Sequence, residues 1–187
     1  MRIPVTFKTM FIRQRTRART KALAKHKKLV RDGHNTKAGK HFLKIATQRL
    51  KEAEQPNLNP AQKKAKLLNA ATQFERAGQI YKNAYNTNKR NSAFNTAAQA
   101  GKRALQIIIE LPEFTEDMQH GGTKVNDLLR RVQTNFSEAD NAKANQMSST
   151  FLEINESKNM VGTKRGYAPE IHIDNTRRKL RELLRRL

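Results

Sequence analysis

Residues 59–108 read NPAQKKAKLLNAATQFERAGQIYKNAYNTNKRNSAFNTAAQAGKRALQII, and the reading of this stretch decides the fold class. Leu67, Leu68, Ala71, Phe74, Ala77, Gly78 and Tyr81 recur at three- and four-residue spacings, which puts them on one face of a helix. Asn59 can cap the start of that helix, Pro60 fills its first turn and Gln62 reaches back, so it begins there and is expected to run to about Tyr85. After a polar turn over residues 86–90, Ala93, Phe94, Ala97, Ala98, Gly101, Ala104, Leu105 and Ile108 repeat the spacing. Alanine and glycine on both faces permit close approach, so the two segments are expected to form an antiparallel hairpin. An all-α fold follows: a helical bundle or hairpin array with an extended basic N-terminal arm and a basic amphipathic helix at the C-terminal end.

On the C-terminal side, Pro112 ends the second helix and Gly121 and Gly122 mark a turn. Val125, Leu128, Leu129, Val132 and Phe136 define a further helix, and Ser137 with Asp140 three residues on is expected to start another that carries Met147, Phe151 and Ile154. Residues 158–173, with Gly162, Gly166 and Pro169, read as an irregular linker. Asp174 or Asn175 is expected to cap a final helix over residues 174–187. On the N-terminal side, residues 22–31 read as a helix, the glycines at 33 and 39 as an interruption, and Phe42, Ile45, Ala46, Arg49 and Leu50 as a second amphipathic start. Residues 55–59 read as a loop. The division is an extended arm over 1–21, a helical domain over 22–157, the linker, and the last helix.

Charge is the other strong signal. The chain has 38 Lys and Arg against 16 Asp and Glu, a net charge of +22, and only 36% hydrophobic residues. From Met1 to Lys51 there are 16 basic residues against Asp32 alone, a local net charge of +15. Charge so dense and without interleaved acids has no internal ion pairs to settle into, so an anionic partner is expected. Nucleic acid is the foremost such partner, because it presents closely spaced phosphates and releases counterions on binding. Arg13, Arg15, Arg17, Arg19, Lys21, Lys25, Lys27, Lys28, Arg31, Lys37 and Lys40, with Arg177, Arg178 and Arg181 near the other end, are the candidate phosphate contacts. Arginine dominates the first part of the run, and its planar fork suits bidentate contact with phosphate. Its spacing at every second residue favours structured RNA slightly over DNA. Lys63, Lys64 and Lys66 read instead as a solvated helix face.

The arm also alternates Ile3, Val5 and Phe7 with polar residues before Met10, Phe11 and Ile12. Phe7 and Phe11, with the stripe of Leu180, Leu183, Leu184 and Leu187, are therefore candidates for contact with other protein subunits. The leucine stripe beneath Arg177, Arg178, Lys179, Arg181, Arg185 and Arg186 also has the pattern of an interfacial helix, so an anionic membrane is an alternative partner. An acid-free, Arg-rich opening resembles an organelle transit peptide as well, although a retained basic arm fits better because the acid-poor stretch runs on past a usual presequence. Mitochondrial and virion settings both remain open at this stage.

Catalytic and cofactor chemistry is not expected. Cysteine is absent, which excludes disulfides, thiolate zinc sites and a cysteine nucleophile. Residues 33–41, GHNTKAGKH, depart from a phosphate-binding loop twice: the glycine spacing is one residue too long, and His41 stands where Ser or Thr would hold magnesium. His34 and His41 have only Asp32 nearby, too few ligands for a metal. Glu110, Glu113, Glu116 and Asp117 cluster around Pro112 in what reads as a loop, where they are expected to serve basic segments as charge partners. No small-molecule substrate is indicated, and no apolar run approaches the length of a membrane span.

Residues 70–84, AATQFERAGQIYKNA, resemble a helix of the tetratricopeptide-like family, and especially the alanine-rich repeats of SNAP-type vesicle-fusion adaptors. The similarity extends to residues 92–105, SAFNTAAQAGKRAL, within a stretch from 61 to 110, and no period of about 34 residues recurs on either side. Such families are scaffolds for protein partners, so the resemblance implies a helical interaction surface. The expectation is a non-enzymatic structural component of a ribonucleoprotein or packaged genome, the alternatives being a protein-interaction scaffold and a peripheral binder of anionic membranes.

Overall fold

The computed structural model describes residues 35–120, 122–145, 147 and 169–187, together with Lys21 and Ala24. Among the described residues every regular element is helical, in agreement with the all-α reading. The expected helix over residues 22–31 and the extended arm lie outside the described residues, apart from Lys21 and Ala24, which are helical.

The decisive stretch folds as its spacing predicts. Helix α2 (Pro60–Asn83) starts with the expected reciprocal cap: Asn59 Oδ1 accepts from the Gln62 N–H at 2.8 Å, and Gln62 Oε1 accepts from the Asn59 N–H at 3.3 Å. Helix α3 (Thr87–Ile108) follows after a three-residue turn, capped by Asn86. Gly78 lies against the Phe94 ring, Ala77 clusters with Ala93 and Phe74 with Ala97, while Leu67 meets Leu105 at the far end. Contacts that run in opposite directions along the two segments make the pair an antiparallel hairpin.

Helix α1 (Asn35–Ala53) corrects the reading of Gly39 as a helix breaker. A Cβ at Gly39 would lie 2.6 Å from Cζ of Tyr81, so the glycine is there to let the ring in. Its cost in helix propensity, about 1 kcal/mol, is offset by burying Ala38 and Phe42 on the same face. Phe42 clusters with Ala77, Ile80 and Tyr81, Ala46 with Ala70 and Phe74, and Ala53 with Leu67. Helix α1 is thus antiparallel to α2.

Helix α4 (Pro112–Gln119) occupies what reads as an acidic loop, a second correction. Pro112 stops α3 but also suits the first turn of a new helix, and Phe114 anchors that helix in the core. Helix α5 (Thr123–Glu138) runs antiparallel to α3, with Val132 at Gly101 and Asn141 Nδ2 donating to Asn95 Oδ1 at 3.0 Å. It does not give way to a new helix at Ser137. Burial of Val132 and Phe136 carries α5 on to Glu138, the backbone reverses at Asp140 (φ 53°), and Asn141 Oδ1 then accepts from the Lys143 N–H at 3.0 Å to open the next turn.

Helix α6 (Pro169–Arg186) begins five residues before the expected cap, so residues 169–173 are helix and not linker. The reason is packing: Ile173 and Thr176 are buried and extend the stripe of Leu180, Leu183, Leu184 and Leu187 by two turns. That stripe is not a free partner surface either. It completes this protein's own core, in one cluster with Leu105, Ile109, Phe114, Leu129, Phe136 and Met147. No helix among the described residues is long and apolar enough to cross a membrane.

Candidate nucleic-acid interface

Which cations are available to a partner depends on where the few acids go. Glu52 binds Lys66 and Arg49, both at 2.8 Å, and Glu54 binds Arg103 at 3.2 Å. Glu75 takes the fork of Arg131 at 2.6 and 2.7 Å and also accepts from Asn135 Nδ2. Glu110 takes the fork of Arg181 at 2.7 and 2.5 Å. Glu113 pairs with Lys64, Glu138 with Lys82, Asp140 with Arg90, Asp174 with Arg177 and Glu182 with Arg186. Lys64 and Lys66 are therefore half-buried ion-pair partners and not the solvated face their spacing predicts.

The acidic cluster around Pro112 does serve basic side chains of this chain, through Glu110 and Glu113. Asp117 does something else: it is buried and accepts from the backbone N–H groups of Lys124 and Val125 at 3.2 and 3.0 Å. Lys66, and then Arg49, hold the Glu52 carboxyl below the usual carboxylate range, and Arg181 does the same for Glu110.

Helix α1 contributes Glu52 to this network but almost none of its bases. Of its bases only Arg49 reaches an acid among the described residues, while Lys37, Lys40, Lys44 and Lys51 are exposed and make no ion pair there. Spacings of three, four and seven residues place all four within about 60° of the helix circumference, along roughly 21 Å of its axis. The opposite face carries Ala38, Phe42, Ala46 and Ala53 into the core, so the ridge is held on a rigid, buried support. Lys37 and Lys40 were legible as candidates from charge density. Lys44 and Lys51 belong to the same ridge, and their seven-residue repeat from Lys37 was the signal for it.

The remaining candidates divide. Arg13, Arg15, Arg17, Arg19, Lys25, Lys27, Lys28 and Arg31, with Phe7 and Phe11, lie outside the described residues; Lys21 is exposed. On α6, Arg178 is exposed and free of ion pairs among the described residues, as is Arg185 one heptad on. Arg181 is occupied by Glu110. Arg177 donates to Asp174 at 2.7 Å and to Thr115 Oγ1 at 2.9 Å, with its guanidinium 5.1 Å from the Phe114 ring centroid. These two arginines dock α6 onto α4 and the turn that precedes it.

A cleft of about 700 Å³ lies between the start of α2, the end of α3, α4 and the start of α5, lined by apolar Leu68, Ile108, Val125 and Leu128 and by charged Glu116, Asp127 and Lys124. Among the described residues no three His, Cys, Asp or Glu side chains group as a metal site would need. The chain matches no known family model, no curated protein and no solved structure.

Proposed function

We propose that this chain is a non-enzymatic structural component of a nucleoprotein assembly, holding nucleic acid by its phosphate backbone. The supporting observation is the ridge of Lys37, Lys40, Lys44 and Lys51: four exposed cations on one line, in a fold where nine of the thirteen described acids are tied to other bases. The same +15 quarter of the chain that ends at Lys51 contributes the arginine-rich run, which favours RNA slightly over DNA. A line of lysines contacts backbone and carries no base readout of its own. The interfacial-helix alternative is weakened, because the leucines it would insert into lipid are in the core.

Binding of a labelled oligonucleotide, followed between about 50 and 200 mM salt, tests this reading. Each lysine that meets a phosphate adds about 0.7–0.9 to the salt slope. Changing Lys37, Lys40, Lys44 and Lys51 to Gln should weaken binding and flatten the slope by about three units. An unchanged slope would show that the ridge does not touch phosphate.

A second reading rests on the cleft. Its apolar lining between α2, α3, α4 and α5 suits a protein partner, in line with the scaffold role that the tetratricopeptide-like resemblance implies. A partner captured by the full chain and retained after nuclease treatment would support it.

A further inference from the structure

Tyr85, in the turn between α2 and α3, combines two properties that are each unusual. Its side chain is 95% exposed, in a chain with only three tyrosines and no tryptophan. Its backbone lies in the left-handed region at φ 54°, which costs a residue with a Cβ about 1–2 kcal/mol. The other described non-glycine residue there is Asp140, a type that visits this region readily. Glycine or asparagine would relieve the strain at position 85. An exposed aromatic stands there instead.

The turn holds this ring on a fixed stem. The Tyr85 N–H donates to the Lys82 carbonyl at 3.1 Å, the Asn86 N–H donates to the Tyr81 carbonyl at 2.9 Å, and Asn86 Oδ1 caps α3 through the Lys89 N–H at 3.2 Å. Because Gly39 packs on Tyr81, the start of α1, with Lys37 and Lys40, lies at the same end of the bundle. The acids at this end, Glu138 and Asp140, are engaged by Lys82 and Arg90. Lys89 is exposed and makes no ion pair among the described residues; its Nζ lies 5.6 Å from the Tyr81 ring centroid.

We propose that Tyr85 is a stacking platform for an unpaired base of a single-stranded nucleic acid, with Lys37, Lys40 and Lys89 taking the flanking phosphates. The proposal rests on the nucleic-acid reading and adds a substrate class to it. A solvent-facing aromatic at the same end of a bundle as unpaired cations is the combination that single-strand binding uses, since every base offers a π-face and every linkage a charge. A duplex keeps its base faces in the stack and offers Tyr85 nothing to cover.

The absence of native tryptophan makes the test direct. In the full chain, Tyr85→Trp supplies a single indole reporter, while anisotropy of a labelled oligonucleotide reports binding independently. A single strand should quench the indole emission and the matching duplex should not. Tyr85→Asn, which suits the left-handed backbone and keeps the turn, should weaken single-strand binding roughly tenfold at an unchanged salt slope and leave duplex binding as it was. If the single strand binds by anisotropy with no quenching and Tyr85→Asn binds it as the native chain does, the stacking role is overturned and backbone binding stands. If neither oligonucleotide binds, both readings fall.

Discussion

Tyr81 is buried, and its hydroxyl has no hydrogen-bond partner among the described residues. Burial alone pushes its phenol above the usual tyrosine range. An unsatisfied buried hydroxyl costs about 1–3 kcal/mol, whereas its removal leaves only a small void. Tyr81→Phe should therefore leave urea-unfolding stability unchanged or raise it by about 1 kcal/mol; a loss of that size would mean the hydroxyl is bonded after all. The sequence places Tyr81 on an apolar helix face and rightly reads Gly78 and Gly101 as points of close approach, because each sits inside an apolar run. Gly39 sits among polar and basic residues and near Gly33, so only its contact with a ring 42 positions away reveals its role.

The helices that repeat a three- and four-residue pattern over many turns were legible, and so was their antiparallel pairing. The short acidic segment was not. Helix α4 has only eight residues, too few for periodicity to speak, and its reason for forming is shared with α5. Helix α5 is preceded by Gly122, in the left-handed region at φ 61° and with no side chain to satisfy the first N–H groups. Asp117 of α4 does that instead. Asp117→Ala should cost about 1–2 kcal/mol in denaturant unfolding, the range of a lost N-cap, and should loosen α4 and α5 together. Equal stability would mean that another group can replace the carboxylate. The start of α6 was missed for a related reason, since an Asp is a good cap only where packing does not carry the helix past it. Ile173 and Thr176 do carry it past Asp174.

For the whole molecule, the position of the charge was legible and its pairing was not. A count finds sixteen bases before residue 52, but the acids that neutralise the bundle reach across 49 residues from Glu113 to Lys64 and 71 from Glu110 to Arg181. Only the fold shows that the pairs leave one side of α1 bare. The same pairs set the response to acid. Glu52 and Glu110 have folded-state pKa values below the unfolded value of about 4.3, so each contributes stability that is complete above that value and is lost as pH falls through the folded one. Protonating acids also raises a net charge that already stands at +22. The urea midpoint should fall steeply from about pH 5 to pH 3 and recover in part with added salt, which screens the repulsion. A midpoint that stays level over this interval would show that the ion pairs add nothing to stability.

Helix α6 places a condition of timing on the molecule. Leu180, Leu183, Leu184 and Leu187 fill the socket formed by Leu105, Ile109, Phe114 and Leu129, and of the described helices theirs is the last to be synthesised. A nascent chain translated only as far as α5 presents that socket open to solvent, a sticky surface of the kind chaperones and proteases act on. Only a molecule that has acquired its leucines hides it.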